Sequence, residues 1–306
     1  MGTPDFAVFS LEALCEAGHE LIGVVTQPDK PRGRGYTLTP PPVKVSAQKL
    51  EIPVYQPNTL KDEAFAELLS SLAPEIIVVV AYGKILPKSV LDFPKYGCIN
   101  VHGSLLPEYR GAAPMQRAII DGKAVTGITT MYMDVGLDTG DMLLCEELVI
   151  EENDNFESIH DKLGALGAKL IVRTLDKLAD GSAVRVSQND AEATYAAKIT
   201  KEDCLLDFDT DSTTLHNLIR GLSPIPLAFT YTPDGKLLKI TEARRTDDCA
   251  EHSCPGEVLS LDDGITVACR HGSICILGVL PEGKSRMSAD AFVRGRKVNV
   301  GDRLGK

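Results

Sequence analysis

Membrane, secreted and zinc-binding proteins carry sequence features that this chain lacks. Its longest apolar run, residues 76–82, is far shorter than the roughly 18–20 residues that cross a bilayer. No basic stretch followed by an apolar core opens the chain, so we expect no secretory signal. None of the eight cysteines forms a C-x-x-C pair, and the group of Cys249, His252 and Cys254 matches no standard zinc spacing. We therefore expect a cytoplasmic protein with reduced cysteines, no metal and no membrane partner.

Positive charge is also scarce. The formal net charge of −11 argues against a protein that simply coats nucleic acid. The charge is uneven, because residues 207–306 hold 13 basic and 14 acidic residues, whereas the first 206 residues carry the remaining −10. Residues 281–306 alone hold seven basic and three acidic residues. A local basic patch of this kind can still meet a phosphate backbone.

The order of helix-like and strand-like segments predicts two domains in the 306 residues. In residues 1–187 strands alternate with helices, which is typical of an α/β fold with a doubly wound, mostly parallel sheet. We expect a polar linker at residues 188–203 and, at residues 204–306, short strands that form a small β-barrel. The chain opens on a Gly-Thr-Pro-Asp turn of the kind that follows a first parallel strand, so we expect that first strand to be missing.

A strand that runs into a loop, residues 98–111, carries the most informative polar side chains. Asn100 and His102 are two positions apart, so on a strand both project from the same face. Gly103, Ser104 and Pro107 then break the regular pattern and predict a loop. Because open α/β sheets bind ligands at the carboxyl ends of their strands, we take this segment as the candidate active site.

Asn100, His102 and Asp138 together suit acyl transfer without a nucleophile from the protein. Asn100 can donate a hydrogen bond to the oxygen that becomes negative in a tetrahedral intermediate, and His102 can do the same or carry protons. Asp138, from a loop with three carboxylates, would favour the protonated imidazole and orient it. Each residue also has a structural interpretation, as a satisfied histidine, a strand-end cap and a loop-stabilising carboxylate. A nucleophilic role for Ser104 is disfavoured, because the G-x-S-x-G elbow is absent.

The second candidate region is a loop at residues 29–42 that is rich in proline and glycine. It carries Lys30, Arg32 and Arg34 but lacks both the G-x-G-x-x-G and the P-loop patterns of a phosphate cradle. Loops of this length are uncommon in compact domains and are often functional. The sequence alone leaves open whether it is a solvated surface loop or one that grips an anionic substrate.

These segments jointly resemble one known family. Residues 100–107, with residues 109–114 and 133–142, look like the corresponding motifs of the methionyl-tRNA formyltransferases. The similarity covers nearly the whole chain and extends to residues 1–6, 26–30, 81–83, 256–258 and 281–288.

The resemblance implies a reaction and roles for three residues. Asn100, His102 and Asp138 correspond to the catalytic Asn-His-Asp set of the family. The expected reaction moves a formyl group from the co-substrate 10-formyltetrahydrofolate to the amino group of methionine on initiator tRNA, for translation initiation. The amine would attack directly, Asn100 and His102 would stabilise the tetrahedral intermediate, and Asp138 would orient His102. No bound cofactor is implied, and we expect a monomer.

The resemblance also assigns binding segments. The segment that helps to bind the folate corresponds to Ser104, Leu105, Leu106 and Pro107. The loop that enters the acceptor region of the tRNA corresponds to the one that carries Lys30, Arg32 and Arg34. The C-terminal domain resembles an OB-like barrel that helps to hold the tRNA. Since that domain is nearly neutral overall, tRNA contact would rely on local basic clusters.

Two alternative functions remain open at this point. Another enzyme that uses 10-formyltetrahydrofolate, a hydrolase or a formyltransferase for nucleotide sugars or ribonucleotides, would share Asn100, His102 and Asp138. The basic loop and the C-terminal β domain favour the tRNA substrate over these. A non-catalytic RNA-binding module is disfavoured by the intact Asn-His-Asp set.

Overall fold

Two structural units share the chain in a computed structural model, which describes residues 1–32, 37–295 and 297–305. The first unit comprises Met1–Gly111, Val125–Val149 and His160–Ala196. The second unit comprises Ala112–Ala124, Ile150–Ile159 and Ala197–Lys306. The chain therefore passes between the units several times, and the linear domain limits expected at residues 187 and 204 remain predictions.

Polar caps determine where most of the longer helices begin, because a side-chain oxygen satisfies a free backbone N–H in the first turn. Asp62 accepts from the Phe65 N–H, and Asp211 accepts from the Thr214 N–H. The eight α-helices of the described residues are α1 (Phe6–Glu16), α2 (Pro42–Lys49), α3 (Glu63–Leu72), α4 (Lys88–Leu91), α5 (Pro114–Ile120), α6 (Phe156–Ala179), α7 (Ser212–Gly221) and α8 (Ala289–Arg294).

Two strands of the first unit have eight residues each in the described part of the chain, and the others have two to five. They are β1 (Val24–Val25), β2 (Lys30–Arg32), β3 (Thr37–Thr39), β4 (Val54–Tyr55), β5 (Ile77–Val79), β6 (Cys98–His102), β7 (Arg110–Gly111), β8 (Val125–Tyr132), β9 (Met142–Val149) and β10 (Tyr195–Ala196).

The main sheet of the first unit has the order β5-β6-β8-β9. β5 and β6 are parallel, whereas β6, β8 and β9 pair antiparallel. β1 and β4 form a separate parallel pair, and β7 pairs in parallel with β10. The doubly wound α/β fold is confirmed, and the antiparallel pair β8–β9 extends it.

Met1 and Gly2 lie between β1 and β5 and are hydrogen-bonded to a residue of β1 and to one next to β5. The Gly2 N–H donates to the carbonyl of Val25, and the Val80 N–H donates to the carbonyl of Met1, both near 3 Å (3.1 and 2.9 Å). Beyond these two residues, the space between β1 and β5 is a largely apolar cleft of about 510 Å³. Leu11 and Leu69 are among the residues that line it.

The strands of the second unit are β11 (Ala228–Tyr231), β12 (Leu237–Arg245), β13 (Val258–Ser260), β14 (Ile265–Ala268), β15 (Ser273–Pro281) and β16 (Met287–Ser288). They form an antiparallel sheet of the order β11-β12-β15-β14-β13, and the short strand β16 pairs with β15. Fully buried Leu238, Ile265 and Ile276 contribute to a core that also includes Leu215 and Ile219 of α7. The sheet curls into a half-barrel, so the expected C-terminal β domain is confirmed.

A membrane-spanning helix needs a long apolar stretch, and no helix in residues 1–32, 37–295 and 297–305 meets that requirement.

Candidate active site

β6 positions Asn100 and His102 as the sequence spacing predicts. Asn100 pairs with Val79 of β5 and with Met131 of β8, so it lies at the centre of the sheet. His102 pairs with Thr129 at the end of the strand and is only 5% exposed. The two side chains share a face because successive residues of a strand point to opposite sides.

The imidazole of His102 lies between two oxygen acceptors. Its Nε2 is 3.0 Å from the carbonyl oxygen of Tyr109, and its Nδ1 is 3.7 Å from Oδ2 of Asp138. A carbonyl oxygen can only accept, so Nε2 carries the hydrogen in this contact. Nδ1 faces the carboxylate of Asp138 at a distance longer than a hydrogen bond.

Asp138 reaches the strand from a loop 36 residues further along the chain. Its Oδ2 accepts a hydrogen bond from the Gly111 N–H at 2.8 Å, and its Oδ1 accepts a longer one from Asn100 Nδ2 at 3.4 Å. The backbone of Asp138 is left-handed, with a φ of 53°, which a non-glycine residue adopts at an energetic cost. The structure thus brings Asn100, His102 and Asp138 into one cluster.

Hydrogen bonds within the loop after β6, and from Thr129 of β8, fix its conformation. Ser104 is 1% exposed, and its hydroxyl donates to the carbonyl of Glu108 at 2.6 Å. The hydroxyl of Thr129 donates to the Ser104 carbonyl and accepts from the Leu106 N–H. Leu106 is buried, whereas Leu105 and Pro107 are partly exposed. The four residues expected to bind folate therefore form an ordered loop beside His102, and the role of each in binding stays a prediction.

The basic segment expected as a loop contains an antiparallel pair of strands. In β2 and β3, Lys30 pairs with Thr39 and Pro31 pairs with Leu38. The loop prediction for residues 29–42 is therefore wrong for these strands, because backbone pairing outweighed the proline-rich composition. The ammonium of Lys30 donates to Gln27. Of the three basic residues predicted to contact tRNA, Lys30 and Arg32 lie on β2, and Arg34 lies outside the described residues.

Ion pairing anchors the base of this hairpin. Lys44 Nζ lies 2.8 Å from Asp29 Oδ2, and Gln56 Nε2 donates to Asp29 Oδ1 at 2.8 Å. These hydrogen bonds, the one from Lys44 foremost, lower the pKa of Asp29 below its usual value. The Asp29 carboxylate is therefore ionised where it binds Lys44 and Gln56 next to the start of β2.

Several contacts of the cluster have no signal in the sequence. Arg110 is 2% exposed although arginine is usually exposed, and Gln188 lies in the segment predicted as a linker. Gln188 nevertheless donates to the carbonyls of Asp138 and Gly140, both at 2.8 Å. Only a tertiary structure could reveal these contacts, because the partners are about 50 residues apart.

A metal would need a set of His, Cys, Asp or Glu ligands close together. No group of three or more such side chains that could hold a metal ion occurs within the described parts of the chain. The side chains of the cluster that contains His102 are one amide, one imidazole and one carboxylate.

Comparison with known proteins defines the class to which this fold and site belong. Residues 1–175 match the formyl transferase family, and residues 198–297 match the C-terminal domain of formyl transferases. The solved N-formyltransferase from Helicobacter canadensis, in complex with folinic acid and dTDP-3-aminofucose, shares the fold. Its TM-score is 0.65 and its identity 18%, over 90% of this chain and 96% of that chain. The chain belongs to the formyl transferase family.

Relatives that match the full length of the chain indicate one family within the formyl transferases. The methionyl-tRNA formyltransferase of Geotalea uraniireducens (strain Rf4) is 49% identical over 307 residues, which cover 100% of this chain and 97% of the relative. The methionyl-tRNA formyltransferase of Pelotomaculum thermopropionicum is 50% identical with the same coverage. Within the formyl transferases, the chain is a member of the methionyl-tRNA formyltransferase family, and the resemblance seen in its sequence is confirmed.

Proposed function

We propose that the protein transfers the formyl group of 10-formyltetrahydrofolate to the amino group of methionine on initiator tRNA. The observation that carries this proposal is the cluster of Asn100, His102 and Asp138 in a chain whose full-length relatives are methionyl-tRNA formyltransferases. The folate co-substrate agrees with the folinic acid bound to the structurally similar N-formyltransferase.

The proposed chemistry starts with attack of the methionine nitrogen on the formyl carbon. A C–N bond forms, the formyl oxygen becomes negative, and the bond to N10 of the folate then breaks. The amide of Asn100 has two hydrogens, of which one bonds to Asp138, so the other is available to the oxyanion. Such a preorganised donor typically contributes about 10²–10³ in rate.

His102 would manage the proton in the same reaction. The attacking nitrogen loses a proton, and N10 of tetrahydrofolate needs one as it leaves. An imidazole beside the reacting atoms can take the first and supply the second, so that the net proton count is unchanged. Asp138, 3.7 Å from Nδ1, would stabilise the imidazolium formed in between and keep the ring oriented.

We assign folate binding to the loop of Ser104, Leu105, Leu106 and Pro107. The loop lies next to His102 in the chain and its backbone is fixed by Thr129 on both sides. The partly exposed Leu105 and Pro107 offer apolar surface suited to a flat ring, and the internally bonded Ser104 serves to shape the loop.

We assign tRNA binding to the basic segment of Lys30, Arg32 and Arg34 and to basic clusters of the C-terminal region. Replacing Arg32 and Arg34 with Ala should raise the KM for charged tRNA and leave kcat within about twofold. If two phosphate contacts are lost, the slope of log(kcat/KM) against log[salt] should flatten by roughly 1.5–2.

The matched control for this variant is Arg173→Ala, which removes an exposed arginine of α6 that pairs with Glu146. The control should keep the salt slope of the unchanged protein. Equal salt slopes for the unchanged protein and the variant without Arg32 and Arg34 would mean that this basic segment does not contact the tRNA.

We also propose a cytoplasmic monomer. The three proposed catalytic side chains come from one chain, so a second copy is not needed to complete the site. The proposed acceptor, charged initiator tRNA, is consumed by cytoplasmic ribosomes. Light scattering of the purified protein should give the mass of one chain, and twice that mass would contradict the monomer.

The direct test of the function offers labelled 10-formyltetrahydrofolate and four acceptors to the purified protein. These are methionine-charged initiator tRNA, methionine-charged elongator tRNA, free methionine and an amino sugar nucleotide. Label should transfer to the initiator tRNA in preference to the others. Preferred labelling of the sugar would establish the alternative formyltransferase, and release of formate without any acceptor would establish a hydrolase.

A further inference from the structure

We propose that Gln188 is a positioning residue for Asp138, which rests on the proposed formyl transfer at the same site. The Gln188 amide nitrogen donates to the Asp138 carbonyl and to the Gly140 carbonyl, each at 2.8 Å. Its amide oxygen accepts from Arg110 Nε at 2.9 Å. The two carbonyls can only accept and the guanidinium can only donate, so the orientation of the amide is fixed by chemistry.

The loop that carries Asp138 has little packing of its own to hold it. Val135 and Leu137 are 77% and 61% exposed, so apolar burial does little to fix this part of the loop. Asp138 itself is in the left-handed region, a conformation that persists only where the surroundings enforce it. Hydrogen bonds to its main chain constrain the loop instead, and Gln188 supplies one to Asp138 and one two residues later.

Arg110 makes Gln188 a rigid anchor. Its guanidinium is almost fully buried, donates to Gln188, and forms an ion pair with Asp190 at 2.8 Å. Burial of a charged group is tolerated when its donors are satisfied in this way. The oxygen of the Gln188 amide is thus held by the buried Arg110, and its nitrogen bonds to the loop that carries Asp138.

The two residues of β7, Arg110 and Gly111, constrain both the main chain and the carboxylate of Asp138. The Gly111 N–H donates to the carboxylate of Asp138, and the Arg110 side chain reaches its main chain through Gln188. With the backbone and the carboxylate both constrained, Oδ2 stays directed at the imidazole of His102. Loss of the backbone constraint should let the carboxylate move away from the ring.

The variant Gln188→Glu tests this inference most sharply. A glutamate keeps the size of the side chain and an acceptor for Arg110, but it cannot donate to either carbonyl. We expect kcat for formyl transfer to fall about 10- to 100-fold, because small misplacements of a catalytic group have effects of this size. The KM values for both substrates should stay within about twofold. The matched control is Ser187→Ala, which removes a hydrogen bond from the neighbouring residue to Asp141 and should leave kcat unchanged.

A double-mutant cycle separates positioning from a general structural defect. In a protein that already carries Asp138→Ala, the change Gln188→Glu should lower kcat no further, because the residue acts through the missing carboxylate. A further fall of the same size as in the unchanged background, or a KM effect without a kcat effect, would overturn the inference.

Hydrogen exchange of the Gly111 amide, followed by NMR, gives a readout that does not depend on activity. Exchange at Gly111 should quicken in Gln188→Glu and stay unchanged in Ser187→Ala, since its acceptor is Asp138. If the unchanged protein transfers no formyl group but this pattern holds, the proposed function fails and the positioning role stands. If transfer is normal and neither kcat nor Gly111 exchange responds to Gln188→Glu, the positioning role fails and the proposed function stands.

Discussion

Two buried histidines, one in each structural unit, show how little burial alone says about function. His102 is 5% exposed and His216 is 7% exposed. His102 ends a strand and faces the carboxylate of Asp138, whereas His216 lies on α7. Burial, followed by the charges of Arg220 and Arg245, lowers the pKa of His216. One ring has partners that suit a proton carrier, and the other is kept neutral among cations.

The charges around His216 belong to a structural network of the second unit. Arg220 donates to the carbonyls of Glu151 and Asp154, and Arg245 pairs with Glu152 at 3.0 Å. These contacts fasten α7 and β12 to the segment before α6. We therefore expect a chemical role for His102 and a structural role for His216, from their partners and from the strand end that His102 occupies.

The largest effect is expected for His102→Ala. Formyl transfer should slow by about 10²–10³ or more, because a donor or proton carrier at the reacting atoms is lost. The midpoint of thermal unfolding should change little compared with that of His216→Ala. Single-turnover kinetics and a thermal melt of both variants measure the two effects, and near-normal turnover would make His102 a structural histidine like His216.

A somewhat smaller effect is expected for Asp138→Asn. The amide keeps the shape of the side chain but loses the negative charge that faces His102, so kcat should fall by about 10²-fold. The KM for 10-formyltetrahydrofolate should change little. An unchanged kcat would mean that Asp138 only supports its loop, and the distinction between the two histidines would then rest on the strand end that His102 occupies.

The reverse pattern is expected for His216→Ala. Removal of a buried side chain from the α7 packing should lower the free energy of unfolding by about 1–3 kcal/mol. The folded protein should keep kcat within about twofold. Urea denaturation and the formyl-transfer assay check both statements, and a 100-fold loss of kcat at full folding would break the comparison.

The smallest expected effect is on the pH dependence of stability. The pKa of His216 in the folded protein is below its usual 6.5, so the unfolded chain binds the proton more readily. The contribution of this group is fully present above about pH 6.5 and is lost as the pH falls below that value. The free energy of unfolding should therefore decline between pH 7.5 and pH 5.5 less steeply in His216→Gln, by up to about 1.4 kcal/mol per pH unit. Equal slopes in both proteins would contradict the neutral state of His216.

The sequence predicted the parts of the molecule that depend on local patterns. The amphipathic spacing of residues 156–179 and the Asp211 cap before Ser212 are local signals that account for α6 and α7. The alternation along β6 predicted that Asn100 and His102 share a face.

Contacts between distant segments were beyond the reach of local patterns. The approach of Asp138 to His102 was inferred from its chemistry and the family resemblance, since nothing in its loop specifies a partner 36 residues earlier. Gln188 lies in a polar stretch without periodicity, and only the fold brings it to the Asp138 carbonyl. The sequence around β2 and β3 predicts a loop, because proline and glycine are typical of loops.

The central claim is that Asn100, His102 and Asp138 act as one catalytic unit, and a double variant tests it most directly. The measurement is the single-turnover rate of formyl transfer to charged initiator tRNA by His102→Ala, Asp138→Ala and the combination. If Asp138 acts through His102, the double variant should be as slow as His102→Ala alone. Multiplication of the two individual losses would contradict the account, because it would mean that the two residues contribute independently.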